Sequence, residues 1–219
     1  MITYQDIRQN PEIKTYIQHA DRSLLALGYT EHSLAHAGRV ASLAGDILAA
    51  TGADEHTVEL GRIAGYLHDI GNLVNRIDHS QSGAVMAFRL LDKLGMPADD
   101  ICRITTAIGN HDEGTGVPID ELSAALILAD KSDVRRSRVR NSDTADFDIH
   151  DRVNYSVTLA ELTVRTDKGE IELSLVVDTQ YSSIMEYFEI FLERMNLCRR
   201  AAERLGLRFR LRINEQLHL

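Results

Sequence analysis

A histidine and an aspartate stand side by side at the end of an apolar run, in the segment 66–71 with the sequence YLHDIG. His68 and Asp69 offer one imidazole nitrogen and one carboxylate from the same turn of the chain. This pair suits a divalent metal ion better than it suits a packed core, because a buried carboxylate needs a cation. A metal needs more than two ligands, so the fold must bring other histidines and aspartates to this doublet.

The composition is that of an ordinary globular protein, with 44% hydrophobic and 26% charged residues in a chain of 219. Its net charge of −9 argues against a nucleic-acid or anionic-membrane partner. Cys102 and Cys198 lie far apart in the sequence, so we expect buried free thiols in a cytoplasmic protein. The first residues lack a signal-peptide pattern, and no apolar stretch approaches the ~20 residues of a membrane span.

Apolar residues recur at intervals of three and four through roughly residues 1–150, which is the period of amphipathic helices. Residues 122–134 are strongly apolar and are predicted to form a central helix. We therefore expect a helical domain over residues 1–150. Its predicted helices cover about 13–27, 34–48, 54–68, 79–94, 101–108 and 122–134.

The pattern changes after residue 140, where the polar segment 141–151 predicts a loop. Beyond it, alternating apolar residues indicate strands, and one stretch returns to the helical period. The predicted strands cover 157–165, 171–177 and 207–213, with a long helix over 181–206 before the last strand. The predicted fold is mainly α, with a small C-terminal antiparallel β-sheet and one long helix, and residues 151–219 packed as an appendage on the helical domain.

Other histidines and aspartates lie on predicted helices or at their ends, where they could complete a metal site with the doublet. Asp130 follows the apolar run 124–129, where an unpaired carboxylate would have a large desolvation cost. Divalent metals held by nitrogen and oxygen need such groups on rigid elements. The candidate metal ligands are His36, His68, Asp69, His79, His111 and Asp130.

This ordered set resembles the HD-domain superfamily of metal-dependent phosphohydrolases. In that family a histidine precedes a His-Asp doublet, and an aspartate follows on a distant apolar helix. Here the matching residues are His36, His68, Asp69 and Asp130, and the similarity covers roughly residues 15–140. His79 and His111 lie where the two-metal members of the family place extra histidines. The resemblance implies an HD-domain helical bundle with a dinuclear metal site.

The resemblance also implies which residues each ion would use. One ion would take His36, His68, Asp69 and Asp130, and a second would take His79 and His111, with Asp69 as the bridge. Two neighbouring divalent ions can share a hydroxide and polarise a phosphoryl oxygen. A set of nitrogen and oxygen ligands without thiolate favours Fe, Mn, Ni, Co or Zn.

One position departs from the family pattern. Many HD hydrolases carry a lysine after the His-Asp-x-Gly run, where it would contact the substrate phosphate, but this chain has Asn72. Asparagine donates only neutral hydrogen bonds, so other cations are candidates for that contact. Arginine suits bidentate phosphate binding, although a solvated or subunit-contact face is an alternative for such a cluster. The candidates are Arg135, Arg136 and Arg138, together with Arg39 one turn after His36, which could equally be exposed.

Three further polar residues have two interpretations each. His32 lies one turn before His36 and could support the ligands or lie at the surface. Asp112 and Glu113 follow His111, and they could orient water or a ligand, although a solvated loop is favoured.

The leading hypothesis is a metal-dependent phosphohydrolase acting on a nucleotide or another small phosphate ester, with His68, Asp69, Asn72 and Arg39 as catalytic candidates. A di-iron HD-fold oxygenase is an alternative, because some HD-fold proteins use the same ligand set to activate O₂. A non-catalytic regulator that senses a nucleotide is a third hypothesis. The apolar stripe of the C-terminal helix is expected to pack on the helical domain, with some contact in a homodimer.

Overall fold

The computed structural model describes residues 2–141 and 147–219. Seven α-helices form the first described range, residues 2–141. They are α1 (Tyr4–Gln9), α2 (Pro11–Ala26), α3 (Leu34–Ala50), α4 (Glu55–Leu67), α5 (His79–Lys93), α6 (Ala98–Gly109) and α7 (Glu121–Lys131). The second described range, residues 147–219, contains two further α-helices and four strands. They are α8 (Ile149–Ser156), β1 (Val157–Arg165), β2 (Glu170–Val177), α9 (Ile184–Arg204), β3 (Arg208–Ile213) and β4 (Gln216–Leu217).

Helix α7 lies at the centre of the helical domain and carries Asp130 near its end. All residues of α7 after Glu121 are buried, and α7 packs against α3, α4, α6 and α9. Its start is fixed by a capping box in which the side chains of Asp120 and Ser123 bond to each other's backbone. A helix buried on all faces is rigid, so it holds the Asp130 carboxylate in a fixed position.

Gly71 lies where the chain turns sharply between α4 and α5, in the short 3₁₀ turn Ile70–Leu73. A Cβ at this position would clash with the carbonyl oxygen of His79 and the amide nitrogen of Gly83. These are backbone atoms of the first turns of α5, so they cannot move aside as a flexible side chain would. The close approach brings the His68–Asp69 doublet next to His79.

We therefore expect Gly71→Ala to lower the free energy of unfolding by about 2–3 kcal/mol, as overpacking of a tight contact does. Urea denaturation measures the change. Gly38 in α3 is the matched control, because a Cβ there meets nothing within 4 Å. Gly38→Ala should be neutral or stabilising by about 0.4–1 kcal/mol. Equal stabilities for the two variants would contradict this account of the turn.

The C-terminal strands form one sheet in the order β1-β2-β3-β4. The predicted hairpin is present, since β1 pairs antiparallel with β2. Strand β3, however, runs parallel to β2, so the prediction of an antiparallel sheet is wrong for this pair. The reason is that α9 connects them and returns the chain to the end of the sheet where β2 began. Alternation of apolar residues is the same in parallel and antiparallel edge strands, so it does not reveal direction.

Helix α9 joins the C-terminal segment to the helical domain, because it packs against both α7 and β3. Its buried residues include Phe191, Met195 and Cys198, which belong to the predicted apolar stripe. The mainly α fold with a small C-terminal sheet and one long helix is thus confirmed. The division of the chain at residue 150 stays a prediction.

Two local predictions are wrong. The segment 141–151 was expected to be a loop, but α8 begins at Ile149; residues 142–146 of that segment lie outside the described residues. Cys198 is buried as expected, whereas Cys102 is exposed on α6. None of the helices in the described ranges is long and apolar enough to cross a membrane.

Candidate metal centre

The six side chains proposed as metal ligands lie together, although they come from five places in the chain. His36 lies on α3, the His68–Asp69 doublet follows α4 directly, and His79 is the first residue of α5. His111 lies two residues after the end of α6, and Asp130 is the next-to-last residue of α7. All four histidines are buried, and Asp130 is 9% exposed.

The first group surrounds a point between two histidines and two carboxylates. His36 Nε2 lies 3.4 Å from Asp130 Oδ1 and 3.6 Å from Asp69 Oδ2. His68 Nε2 lies 3.5 Å and 3.2 Å from the same two oxygens. Such spacings are those of ligand atoms that share one ion, because metal–ligand bonds of about 2.0–2.2 Å place neighbouring ligands roughly 3–3.5 Å apart.

The second group lies on the other side of Asp69. His79 Nε2 is 3.4 Å from Asp69 Oδ1, and His111 Nε2 is 4.0 Å from the same oxygen. The two Nε2 atoms are 3.2 Å apart. The Asp69 carboxylate therefore presents Oδ2 to the first group and Oδ1 to the second, which is the arrangement that a bridging ligand requires.

The protonation of the histidine rings is fixed by their other nitrogen. Nδ1 of His68, His79 and His111 lies 2.8, 3.1 and 2.6 Å from the backbone carbonyl oxygens of Gly65, Arg76 and Ile108. A carbonyl can only accept a hydrogen bond, so Nδ1 carries the proton in each ring. In the neutral ring this leaves a lone pair on Nε2, the atom that faces the cluster.

A divalent cation fits these residues. His36 Nε2 and His68 Nε2 are buried and have no hydrogen-bond partner among the described residues. Buried polar nitrogens are rarely left unpaired, and each one costs about 1–3 kcal/mol. Both nitrogens point at carboxylate oxygens, which supply the negative charge that a divalent cation needs.

The charges of the cluster are strongly coupled. Burial lowers the pKa of His68, but Asp69 and Asp130 outweigh this and raise that pKa to about 10. Burial raises the pKa of Asp69, yet His68 and the neighbouring histidines hold it well below its ordinary value. The two carboxylates thus stabilise positive charge at His68 Nε2, as they would stabilise a metal cation at the same place.

The remaining ligands have the charges that a metal requires. Burial, with His68 and Lys131 nearby, holds the pKa of His111 well below its ordinary value, so this ring is neutral. Burial also lowers the pKa of His79 despite the proximity of Asp69. The pKa of Asp130 is raised by burial but lowered further by Lys131 and His68, which keeps this carboxylate ionised.

Three of the four arginines proposed as phosphate contacts bind another residue, the buried Asp133. Arg39 Nε lies 3.1 Å and Arg135 Nε 2.8 Å from Asp133 Oδ1, while Arg138 Nη1 donates to the Asp133 carbonyl at 2.7 Å. Asp133 Oδ2 in turn accepts from His36 Nδ1 at 2.7 Å. These cations hold a carboxylate that orients a candidate metal ligand.

Arg136 lies elsewhere. Its guanidinium lies over the rings of Tyr155 and Tyr181 and pairs with Asp178 at 3.3 Å. Of the four arginines singled out in the sequence, Arg138 lines the cavity described below, whereas Arg39, Arg135 and Arg136 do not line it.

Asn72 occupies the position of the family's lysine and turns toward the doublet. Its Nδ2 donates to the Asp69 carbonyl at 3.0 Å and to Asp69 Oδ1 at 2.9 Å. It therefore orients Asp69. His32 also lies close, with Nδ1 2.7 Å from the Thr30 carbonyl and Nε2 3.9 Å from Asp69 Oδ2.

A cavity of about 510 Å³ opens onto Asp69, His79 and Asp130. Its walls include residues that the sequence did not single out, from α8 and α9 as well as from the helical domain. Asp112 and Glu113 also line it, so the loop after His111 belongs to the site. The residues that the sequence did not assign to the site include Arg76, His150, Asn154, Phe191 and Arg194.

A row of charges lies along one wall, in which Lys131 is buried and Glu113 and Arg194 are half-buried. Lys131 Nζ lies 2.8 Å from Asp130 Oδ2 and 3.5 Å from Glu113 Oε1. Arg194 Nε lies 2.8 Å from the same Glu113 oxygen. This row of charges connects the C-terminal helix α9 to the candidate metal ligand Asp130.

Comparison with known proteins identifies one domain of the chain. The family model for the HD domain matches residues 30–135, a range that contains all six converging side chains. Residues 30–135, which make up slightly less than half of the chain, are therefore an HD domain.

Two relatives extend the comparison. The uncharacterized protein MJ1020 of Methanocaldococcus jannaschii is 24% identical over 216 residues, covering 88% of this chain and 82% of that protein. A solved structure, named as a predicted HD superfamily hydrolase from an uncultured Thermotogales bacterium, is 23% identical with a TM-score of 0.43. It covers 62% of this chain and 75% of that chain. The match to the archaeal protein extends well beyond the HD domain.

Proposed function

We propose that this protein is a metal-dependent phosphohydrolase that acts on a nucleotide or another small phosphate ester. The observation that carries the proposal is the pair of buried, unpartnered nitrogens, His36 Nε2 and His68 Nε2, aimed at Asp69 and Asp130. The cluster opens into a cavity that also contains cationic side chains. Metal ligands and cations together suit a substrate with a negatively charged phosphoryl group.

Two ions can be assigned to named residues in this proposal. His36, His68, Asp69 and Asp130 would hold one, and His79 and His111 would hold the second, with Asp69 shared. The nitrogen and oxygen ligands favour Fe, Mn, Ni, Co or Zn. Divalent ions bound there would supply hydroxide at neutral pH and polarise a phosphoryl oxygen.

The chain's own residues prepare the site in three ways. Carbonyl groups and Asp133 fix the four rings, so little reorganisation is needed when a ligand binds. Asn72 holds the carboxylate of Asp69. Lys131 lies beside Asp130 and raises the positive charge of the cavity wall.

The size and composition of the cavity support a small-molecule substrate. A volume of about 510 Å³ lies within the roughly 300–1,000 Å³ range of small-molecule sites. Asn154 on α8 and Phe191 on α9 offer an amide and an aromatic ring to a leaving group such as a nucleoside. The C-terminal segment thus supplies part of the proposed substrate site, and the proposal places the protein in the cytoplasm, where nucleotides are abundant.

The proposal predicts hydrolysis that depends on metal. Protein loaded with Mn²⁺ or Fe²⁺ should release phosphate from at least one member of a nucleotide and phosphoester panel. A chelator should abolish the release, and added metal should restore it. Metal-loaded protein that releases no phosphate from any member would contradict the proposal. Iron-dependent O₂ uptake in its place would favour the oxygenase alternative, and tight nucleotide binding without turnover would favour a regulator.

A further inference from the structure

Arg76 differs from the other long cationic side chains of the cavity, because no carboxylate pairs with it. Lys131 pairs with Asp130 at 2.8 Å, and Arg194 pairs with Glu113 at 2.8 Å. Arg138 Nη1 lies 3.9 Å from Asp133 Oδ2 and donates to the Asp133 carbonyl. Within the described ranges no carboxylate oxygen lies within 4.0 Å of the Arg76 guanidinium. A half-buried cation without an anionic partner indicates that an anion binds there.

The guanidinium of Arg76 lies directly over the candidate metal centre. Its Nη1 is 3.3 Å from His79 Nε2 and 3.4 Å from Asn72 Oδ1. The Nε2 lone pair of His79 is the one proposed to bind metal, and it cannot accept from Arg76 at the same time. In the metal-loaded protein this N–H therefore needs another acceptor. A phosphoryl oxygen at the centre would supply one.

Asn72 and Tyr29 set the position of this side chain. Asn72 stands where related hydrolases carry lysine, and Arg76 follows it by four residues, in the turn before α5. The guanidinium carbon lies 5.8 Å from the centre of the Tyr29 ring, within the range of a cation–π contact. Tyr29 also lines the cavity. The arginine is thus held over the site, and it can extend two parallel N–H groups toward one phosphoryl group.

We propose that Arg76 binds the phosphoryl group of the substrate, in place of the lysine that this chain lacks at position 72. This inference rests on the proposed phosphohydrolase function and adds to it the residue that recognises the anion. Because Arg76 is the one long cavity cation without a carboxylate partner among the described residues, it should contribute more to anion binding than Lys131, Arg138 or Arg194.

The test uses inorganic phosphate as the probe, so that it does not depend on turnover. The full chain is loaded with Mn²⁺, and phosphate binding is measured by calorimetry for wild type, Arg76→Ala and Arg76→Lys. Arg76→Ala should weaken phosphate binding about 10- to 100-fold, and Arg76→Lys should weaken it less, because the charge remains but the paired N–H groups are lost. Metal content should stay unchanged in both variants.

Arg89 provides the matched control, since it is an exposed arginine on α5 that does not line the cavity. Arg89→Ala should bind phosphate as the wild type does. If wild type binds phosphate and Arg76→Ala binds it equally well, the inference fails while the proposed function stands. Loss of metal from Arg76→Ala would assign the residue to support of His79 and would also overturn the inference. If the wild type neither binds phosphate nor hydrolyses any phosphoester, both proposals fail together.

Discussion

Replacing Asp69 by asparagine is expected to remove metal-dependent hydrolysis almost completely, by roughly 1,000-fold or more. Asp69 is the residue whose two oxygens face both ligand groups, with Oδ2 3.2 Å from His68 Nε2 and Oδ1 3.4 Å from His79 Nε2. Asparagine keeps the shape of the side chain but loses the charge, and its amide nitrogen cannot bind a cation. Elemental analysis should show fewer ions per chain, and phosphate release should fall with them.

Asp112→Asn is the matched control for this substitution. Asp112 also lines the cavity, but its Oδ1 is 3.9 Å from His79 Nε2 and it faces only one ligand group. It should keep the metal content of the wild type. His36→Ala and His79→Ala test the two proposed ions separately, since each should lower the metal content by about one ion. Unchanged stoichiometry in Asp69→Asn, His36→Ala and His79→Ala would show that the ligand assignment is wrong.

The proposed ligands could be found in the sequence because their chemistry restricts their surroundings. A carboxylate after the apolar run 124–129 needs a cation, and the period of the apolar residues placed Asp130 on a buried helix. The structure brings the six candidate ligands together around the His68–Asp69 doublet, as a metal site at the doublet would need. Helical periodicity likewise gave the long helices, because a buried stripe repeats every three to four residues.

The partners of charged residues could not be found in the same way. Three of the four arginines singled out in the sequence contact the side chain or the backbone of Asp133, which lies three residues after the candidate ligand Asp130. The position of an arginine close in sequence to a candidate metal ligand does not determine which carboxylate its long, flexible side chain will contact. Arg76 was missed for the same reason, since its place over the cavity depends on the turn between α4 and α5 and on Tyr29.

The sheet shows a similar limit. The strands 157–165 and 171–177 were predicted from alternation and are present within a residue at each end. The direction of β3 depends on how α9 crosses from β2, which is a property of packing between α9, α7 and the sheet. Sequence periodicity describes one element at a time, so it carries no information about that crossing.

Replacing Asp133 by asparagine is expected to have the largest effect on stability. The Asp133 side chain is 1% exposed and lies among His36 Nδ1, Arg39 Nε and Arg135 Nε, all within 3.1 Å. Burial raises the pKa of Asp133, but His36 and the arginines hold it below its ordinary value, so the group is ionised. Removing one partner of a fully buried charge network costs about 3–5 kcal/mol. The loss expected here lies at the lower end of that range, because Arg39 is 49% exposed and Arg135 also pairs with Glu31. Urea denaturation should show a loss of this size.

The same substitution should weaken metal binding about 10- to 100-fold, since Asp133 fixes the ring of His36. Asp178→Asn is the matched control, because Asp178 pairs with Arg136 at 3.3 Å with side chains 32% and 36% exposed. An exposed pair contributes only about 0–1 kcal/mol, so this control should change neither stability nor metal affinity by much. If Asp133→Asn were as stable as the control and bound metal as tightly, the carboxylate would not be the residue that joins the arginine cluster to the metal centre.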